Sequence, residues 1–462
     1  MKGNSTKLVN QATTAVQTAH QRARNDPLRP GYHFVPPAHW MNDPNGPIYY
    51  KNAYHLFYQH NPFGPEWGNI SWGHALSVDL IHWEHLPIAL TPTPDSVDKD
   101  GVFSGSTVIN DGVPTIIYTG VWPEVQCIAR SFDNMFSWRK YENNPVISIP
   151  PFKNLSAFRD PFVWKEESDW FMLVGAGIKS TGGTAFLYRS KNLLDWKYLH
   201  PLCDGPGKIW ECPNFFPLGQ KHILIISLED GVQYALGDYI DHIFYPEKWN
   251  LLDLGGVKGF YAPNTMLDPT GRRIMWGWIQ GGGSPGYPWQ GMLTIPRELS
   301  LGAEGILEQR PVKELQALRN KSFTITDVRI KPNGIFKVPD IGSNCLEIII
   351  TFESNSLVSY SIELEGVSNY KENFNIFYDA ERNQVRIGGL ICDLGLNADS
   401  PPTIWHIFYD RSVYEIFIDY KRTLTGRFFH DVGNIKNLCV RSMVERLNIK
   451  TIQIYKLNPV ND

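Results

Sequence analysis

The sequence predicts an all-β protein, a five-bladed β-propeller followed by a C-terminal β-sandwich. Three features predict it. Most of the chain consists of short apolar runs cut by Gly, Pro, Asn and Asp. A repeat of roughly 50 residues runs through much of it, the size of a propeller blade built from short strands. Near residue 320 the repeat stops and the texture changes.

Residues 7–24 read as a short helix inside an N-terminal extension, 1–29. After "DPLRPGYHF" the helical signals give way to "IYYKNAYHLFYQHNP", "GVPTIIYTGV", "DWFMLVGAGI", "HILIISLED" and "RRIMWGWIQ". Each is bounded by turn residues and reads as a strand or hairpin. Ser77-Val78-Asp79 precedes Trp83, Ser131-Phe132-Asp133 precedes Trp138, and Ser190-Lys191-Asn192 precedes Trp196; Trp249 is a fourth mark. The Trp spacings are 55, 58 and 53 residues. A second series keeps step: Asp43-Pro44, Phe103-Ser104, Asp160-Pro161, Glu211-Cys212-Pro213 and Ala262-Pro263. Its five marks imply five blades, assigned to residues 30–318. The innermost strand of each propeller blade lines the central channel. The series therefore puts Asp43, Ser104, Asp160 and Glu211 around one axial pocket.

After "RPVKELQALRNKSF" Trp405 is the last tryptophan. Runs such as "CLEIIITFES", "TIWHIFYDRSVYEIFIDY" and "TIQIYKL" alternate with the period of two that suits sandwich strands. Residues 319–462 are assigned to this sandwich. It shows no acidic or His cluster of catalytic type and reads as a structural or substrate-rim module.

Bulk properties narrow the function. The net charge of −4 leaves no basic footprint for nucleic acid, so no nucleic-acid partner is expected. The six Cys are scattered without zinc-site spacing, so no structural metal is expected. The first thirty residues lack the apolar stretch of a signal peptide and no run is long enough for a membrane span; the expectation is a cytoplasmic protein with no membrane partner. Aromatics at 13% suit both β structure and a site where rings stack on sugars, although most will be core.

Three acids stand in unusual settings: Asp43 in "WMNDPNG", Asp160 in "SAFRDPF" and Glu211 in "WECPNFF". Acids are rarely buried unless paired, yet each has apolar or aromatic neighbours. Arg159 is expected to keep Asp160 ionised, and Glu211 is the candidate for a raised pKa. A glycosidase needs such a division: one acid to protonate the leaving oxygen, and one carboxylate to attack or to activate water. Gln59, with His60 and Asn61, offers groups for sugar hydroxyls, and Trp67 and Trp72 offer stacking faces.

Taken in order, "WMNDPNG", "YHLFYQHNP", "WGNISWGHALSVDLIHWEHLPIAL", "FSGS", "FRDPFV", "WECPNFF" and "IFYDRSVYEIFIDYKRTLTGRFF" make the chain resemble glycoside hydrolase family 32, the invertases, fructan exohydrolases and related β-fructosidases. The resemblance runs from about residue 30 to 430. It implies a propeller with a sandwich, in agreement with the period. It also implies Asp43 as nucleophile, Asp160 as the stabiliser that holds fructose hydroxyls, and Glu211 as general acid/base. Asn42, Gln59, Trp67, Phe103, Ser104, Arg159 and Trp278 match positions lining the fructosyl pocket. The implied reaction is double displacement with retention on a sugar such as sucrose or a short fructan, with no metal or cofactor. The two reacting carboxyls of a retaining enzyme are expected about 5–5.5 Å apart.

Two positions depart from the family pattern. Asn214 stands where Asp usually follows "WECP", and Gly259 where an Asp usually precedes Phe-Tyr-Ala. The expectation is that the missing charges lower the Glu211 pKa. Alternatives are a fructan exohydrolase, a fructosyltransferase that passes the intermediate to a sugar, and a sugar-binding pseudoenzyme. Trp40 and Asn42 in the first motif favour hydrolysis over transfer. A homodimer is left open.

Overall fold

The structure, a computed structural model, describes residues 2–302, 305–353, 358–366, 374–395, 401–429 and 433–461, with side chains from Thr6 onward. It is built mostly of strands. The chain divides into two units: Met1–Asp26 with Phe34–Leu301, and Pro27–His33 with Gly302–Asp462. No helix among the described residues is long and apolar enough to cross a membrane.

Unit 1 opens with the helix Lys2–Arg24, longer than the sequence reading. Among its described side chains, Ala12, Val16 and Ala23 are buried. Its Thr13 hydroxyl accepts from the Ile88 N–H at 3.2 Å, and His20 Nδ1 lies 3.0 Å from the Pro37 carbonyl. The rest of unit 1 is a succession of antiparallel meanders. Three are separate four-stranded sheets, led by the strands Gly101–Asn110, Leu155–Glu166 and Glu211–Leu218. A further meander is led by His39–Tyr50, and the last begins at Tyr261–Leu267. Trp289–Leu293 joins these two, pairing in parallel with His39–Tyr50 and antiparallel with Arg273–Gly282. Each leading strand contacts the next, and Tyr261–Leu267 contacts His39–Tyr50.

The core lies between successive meanders as apolar layers. Phe57 and Trp72 of the first pack with Ile116, Tyr118 and Trp138 of the second. Ile117 and Ile128 pack with Val163, Met172 and Phe186 of the third. Phe162, Leu173 and Leu187 pack with Leu224, Ile226 and Phe244 of the fourth. Two-faced burial of this kind explains why strands such as Asp169–Ile178 read as continuous apolar runs.

The Ser-x-Asp/Asn…Trp repeat is a turn device. In three meanders it lies between the third and fourth strands. Asp79 accepts from the Ile81 and His82 N–H groups, Asp133 from Ser137, and Asn192 from Leu194 and Asp195. These side chains satisfy the turn's own backbone donors. The indole N–H of Trp83 then donates to the Leu80 carbonyl and that of Trp196 to Leu193, both at 3.0 Å.

Unit 2 holds two six-stranded sheets. One runs Arg319–Ile330, Leu447–Leu457, Cys345–Phe352, Ile404–Asp410, Val413–Ile418, Arg422–Arg427. The segment Pro27–His33 is fastened to it by one carboxylate. Asp410 accepts from the backbone N–H of Gly31, Tyr32 and His33 at 2.6, 2.9 and 3.0 Å, and from His33 Nδ1 at 2.8 Å. His33 Nε2 lies 3.0 Å from Glu415.

Candidate active site

The five leading strands share one irregularity. Their pairing with the second strand shifts register between Met41 and Pro44, Phe103 and Gly105, Glu211 and Asn214, and Tyr261 and Asn264, and opposite Asp160 between Leu173 and Gly175. A bulge re-aims side chains and is a position where a strand tolerates Pro. This explains the Asp-Pro, Cys-Pro and Ala-Pro pairs of the second series. Asp160, Cys212 and Ala262 sit here at φ of 63°, 47° and 46°. Non-Gly residues are uncommon at positive φ and such strain clusters at functional sites.

These irregularities bring the acids together. Asp43 Oδ2 accepts from Ser104 Oγ at 2.5 Å, and its Oδ1 from Asn42 Nδ2 at 2.9 Å. Both donors are held from behind: Gln59 Nε2 donates to Ser104 Oγ at 2.9 Å, and Trp40 Nε1 to Asn42 Oδ1 at 2.7 Å. The Cys212 thiol lies 3.5 Å from Asp43 Oδ2 and 3.6 Å from Asp160 Oδ2. Asp160 also accepts from the Cys212 N–H at 2.9 Å. Glu211, the preceding residue, accepts from Arg159 Nη2 at 2.8 Å on one oxygen and from the Tyr261 hydroxyl at 2.5 Å on the other.

Aromatic rings frame this cluster. Trp67 is 60% exposed, and its ring meets Phe103 edge-on at 6.2 Å; Phe103 in turn meets Trp122 at 6.1 Å. Trp278 meets Trp40 at 5.8 Å. Thus the ten residues matched to site positions by the family resemblance occupy one connected neighbourhood, whereas Trp72, expected as a stacking face, is fully buried in the core between the first two meanders. Sequence reading passed over Cys212, Tyr261, Glu124 and Trp122. The first two were adjacent to marks of the second series; Glu124 and Trp122 lie in a turn with no periodic signal.

The electrostatics differ from the sequence expectation. The Arg159 guanidinium pairs with Glu211 and, at 2.6 Å, with Glu124 rather than with its neighbour Asp160. Burial pushes the Asp160 carboxyl up to about 7; Arg159 opposes this from a distance, while Glu211 and Asp43 add to it. Burial also raises Asp43, against the Ser104 and Asn42 donors that favour its charged form. The Asn214 side chain is hydrogen-bonded to groups other than Glu211. It is 1% exposed, and its amide donates to the Cys212 and Pro263 carbonyls at 3.1 and 2.9 Å while accepting from Thr265 at 3.0 Å. Its role is to fasten two adjacent bulges together. Gly259 ends the short helix Gly256–Gly259, directly before Phe260 and Tyr261.

Residues 33–311 match the glycosyl hydrolases family 32 N-terminal domain. The chain belongs to glycoside hydrolase family 32. It is 34% identical over 444 residues to the raffinose invertase of Escherichia coli, covering 88% of this chain and 90% of that protein. It is 40% identical over 346 residues to a sucrose-6-phosphate hydrolase of Escherichia coli, covering 68% and 71%. The structure of the Bombyx mori GH32 beta-fructofuranosidase superposes with a TM-score of 0.83 at 29% identity, over 98% of this chain and 99% of that one. In this family-32 chain the contacts above join the ten residues that the motif resemblance singles out, together with Trp40, Cys212, Tyr261, Glu124 and Trp122.

Proposed function

We propose that the protein is a retaining β-fructofuranosidase that cleaves sucrose to glucose and fructose. The observation that carries this reading is the convergence of three carboxyls from the first, third and fourth leading strands, with Ser104 supplied by the second. Asp43 and Asp160 touch one thiol, that of Cys212, and Glu211 precedes it. Asp43 is the nucleophile: the Ser104 and Asn42 donors stabilise its charged form and fix its direction. Glu211 is the general acid/base. Arg159 and Tyr261 hold its two oxygens so that its proton is delivered to the glycosidic oxygen as Asp43 attacks fructose C2. Glu211 then takes a proton from water, which releases β-fructose from the covalent intermediate. Asp160 lies beside the attack line and binds ring hydroxyls. Trp67, Phe103 and Trp278 supply ring faces, and Gln59 acts through Ser104.

The same reading takes residues 30–318 as a five-bladed propeller, supported by the contacts of each leading strand with the next. Residues 319–462 are the sandwich, and 1–29 the extension. The six free thiols support a cytoplasmic location. Sucrose, raffinose, inulin and sucrose 6-phosphate assayed side by side, with products separated, test the substrate. Glucose and fructose released in equal amounts from sucrose, and lost in Asp43→Ala, are expected. Binding of sucrose without release of reducing sugar would sink the reading.

A further inference from the structure

The leading strands of unit 1 also line a cavity of about 270 Å³. Gly46, Thr107, Val163, Phe216 and Thr265 contribute to its wall, one from each strand. Each lies three to five residues beyond the site position on the same strand. At about 3.3 Å per residue that is roughly 10–17 Å from the carboxylates. The volume is near the lower end of small-molecule pockets.

Its polar groups have an uneven balance. The described lining residues include two cations, Lys165 and Arg273, and no carboxylate. The Lys165 ammonium rests over the Trp170 ring at 5.1 Å. Arg273 stacks over Phe216 at 4.1 Å, and its Nε is buried with no acceptor. Burial lowers its pKa to about 10, with no acid opposing the shift. Thr107 is 7% exposed and its hydroxyl has no partner. Gly46, at φ 42°, makes room for that hydroxyl, because a Cβ there would come within 2.2 Å of it. Asn45, fully buried in the same strand, also leaves both side-chain amide atoms unpaired.

A guanidinium with a buried, unpaired Nε and no carboxylate in the lining of its cavity is costly, and buried hydroxyls are normally paired. A cation would be repelled here, and a neutral sugar would leave the charge uncompensated. A tetrahedral oxyanion suits both groups: a guanidinium donates to it through a planar fork, and a hydroxyl completes the shell. We propose that this cavity binds a phosphate group, held by the Arg273 guanidinium and the Thr107 hydroxyl. The site is separate from the carboxylate cluster and does not depend on sucrose being the substrate.

Calorimetric titration in phosphate-free buffer tests it, with inorganic phosphate in one arm and glucose 6-phosphate in the other. One saturable site is expected in the wild type and in Asp43→Asn, weakened at least about tenfold in Arg273→Met and severalfold in Thr107→Val. Tighter binding of glucose 6-phosphate identifies a sugar phosphate as the source; equal binding identifies free phosphate. Without phosphate, the thermal midpoint of Arg273→Met should equal or exceed the wild type, because an unpaired charge is gone; with phosphate, only the wild type should rise. Should Arg273→Met fail to fold, that result contradicts the charge argument and Thr107→Val reads the site alone. No saturable binding in the wild type, binding untouched in both variants, or the same effect from chloride at equal ionic strength would overturn the proposal.

Discussion

At the scale of the residue, each carboxylate is set by the groups that hold it. Ser104 Oγ donates to Asp43 at 2.5 Å. Losing a hydrogen bond to a charged group costs about 1.5–3 kcal/mol, so Ser104→Ala should lower kcat/KM by roughly 10- to 100-fold. Because that bond favours charged Asp43, its loss should also move the acid limb of the pH–rate profile to higher pH. An unmoved limb would remove Ser104 from this role. Asp160 gives a prediction of opposite character. Its carboxyl is raised to about 7, so the folded state holds its proton more tightly than the unfolded chain does. The wild type therefore loses stability as pH rises from about 4 to 7. Asp160→Asn keeps an acceptor for the Cys212 N–H and removes the buried charge. It should be more stable at pH 8 by on the order of 1–4 kcal/mol, less so at pH 4, and inactive. Denaturant unfolding at the two pH values checks this. The acids were legible because each sits in a recurring motif. Glu124 was not, because its partner Arg159 is 35 residues away and the pairing depends on how two strands are aligned.

At the scale of the element, the register shift in each leading strand converts a sequence period into a site. The period was legible in the Trp and acid-Pro marks. Their physical meaning was not: the Trp repeat is a capped turn and the Pro repeat a bulge. Nor did the helical pattern of the first residues show that Lys2–Arg24 belongs to unit 1, since only tertiary contacts decide that. Asn214 shows the same limit. Its sequence position pointed to Glu211, but its side chain donates to two carbonyls of adjacent bulges. Asn214→Asp replaces that donor with an acceptor facing two acceptors, which should cost about 2 kcal/mol. Urea unfolding should show a lower midpoint at neutral pH, recovering as the new acid protonates. A midpoint independent of pH would contradict the fastening role.

At the scale of the whole molecule, unit 2 has its own polar anchor. It is His33, buried between Asp410 and Glu415. Burial alone would lower its pKa, but the two carboxylates outweigh burial and raise it to about 9. Stability from this cluster is therefore fully present below about pH 6.5 and is lost as pH rises through 9. The thermal midpoint should fall across that window in the wild type and more weakly in His33→Gln; equal slopes would contradict the cluster's role. The motif around Asp410 was legible as part of the family pattern. That its carboxylate gathers three backbone N–H groups from residues 31–33 was visible only once the chain was folded.

The central claim is a fructosyl group carried on Asp43. It is tested most directly by mixing Glu211→Ala with β-fructofuranosyl fluoride, whose leaving group needs no proton, quenching rapidly and mapping peptides by mass spectrometry. Fluoride release with a fructosyl adduct on the peptide that holds Asp43, absent when Asp43 is also changed to Ala, is the expected result. Sucrose cleaved by the wild type with α-fructose as the first product, or an adduct on another residue, would contradict it.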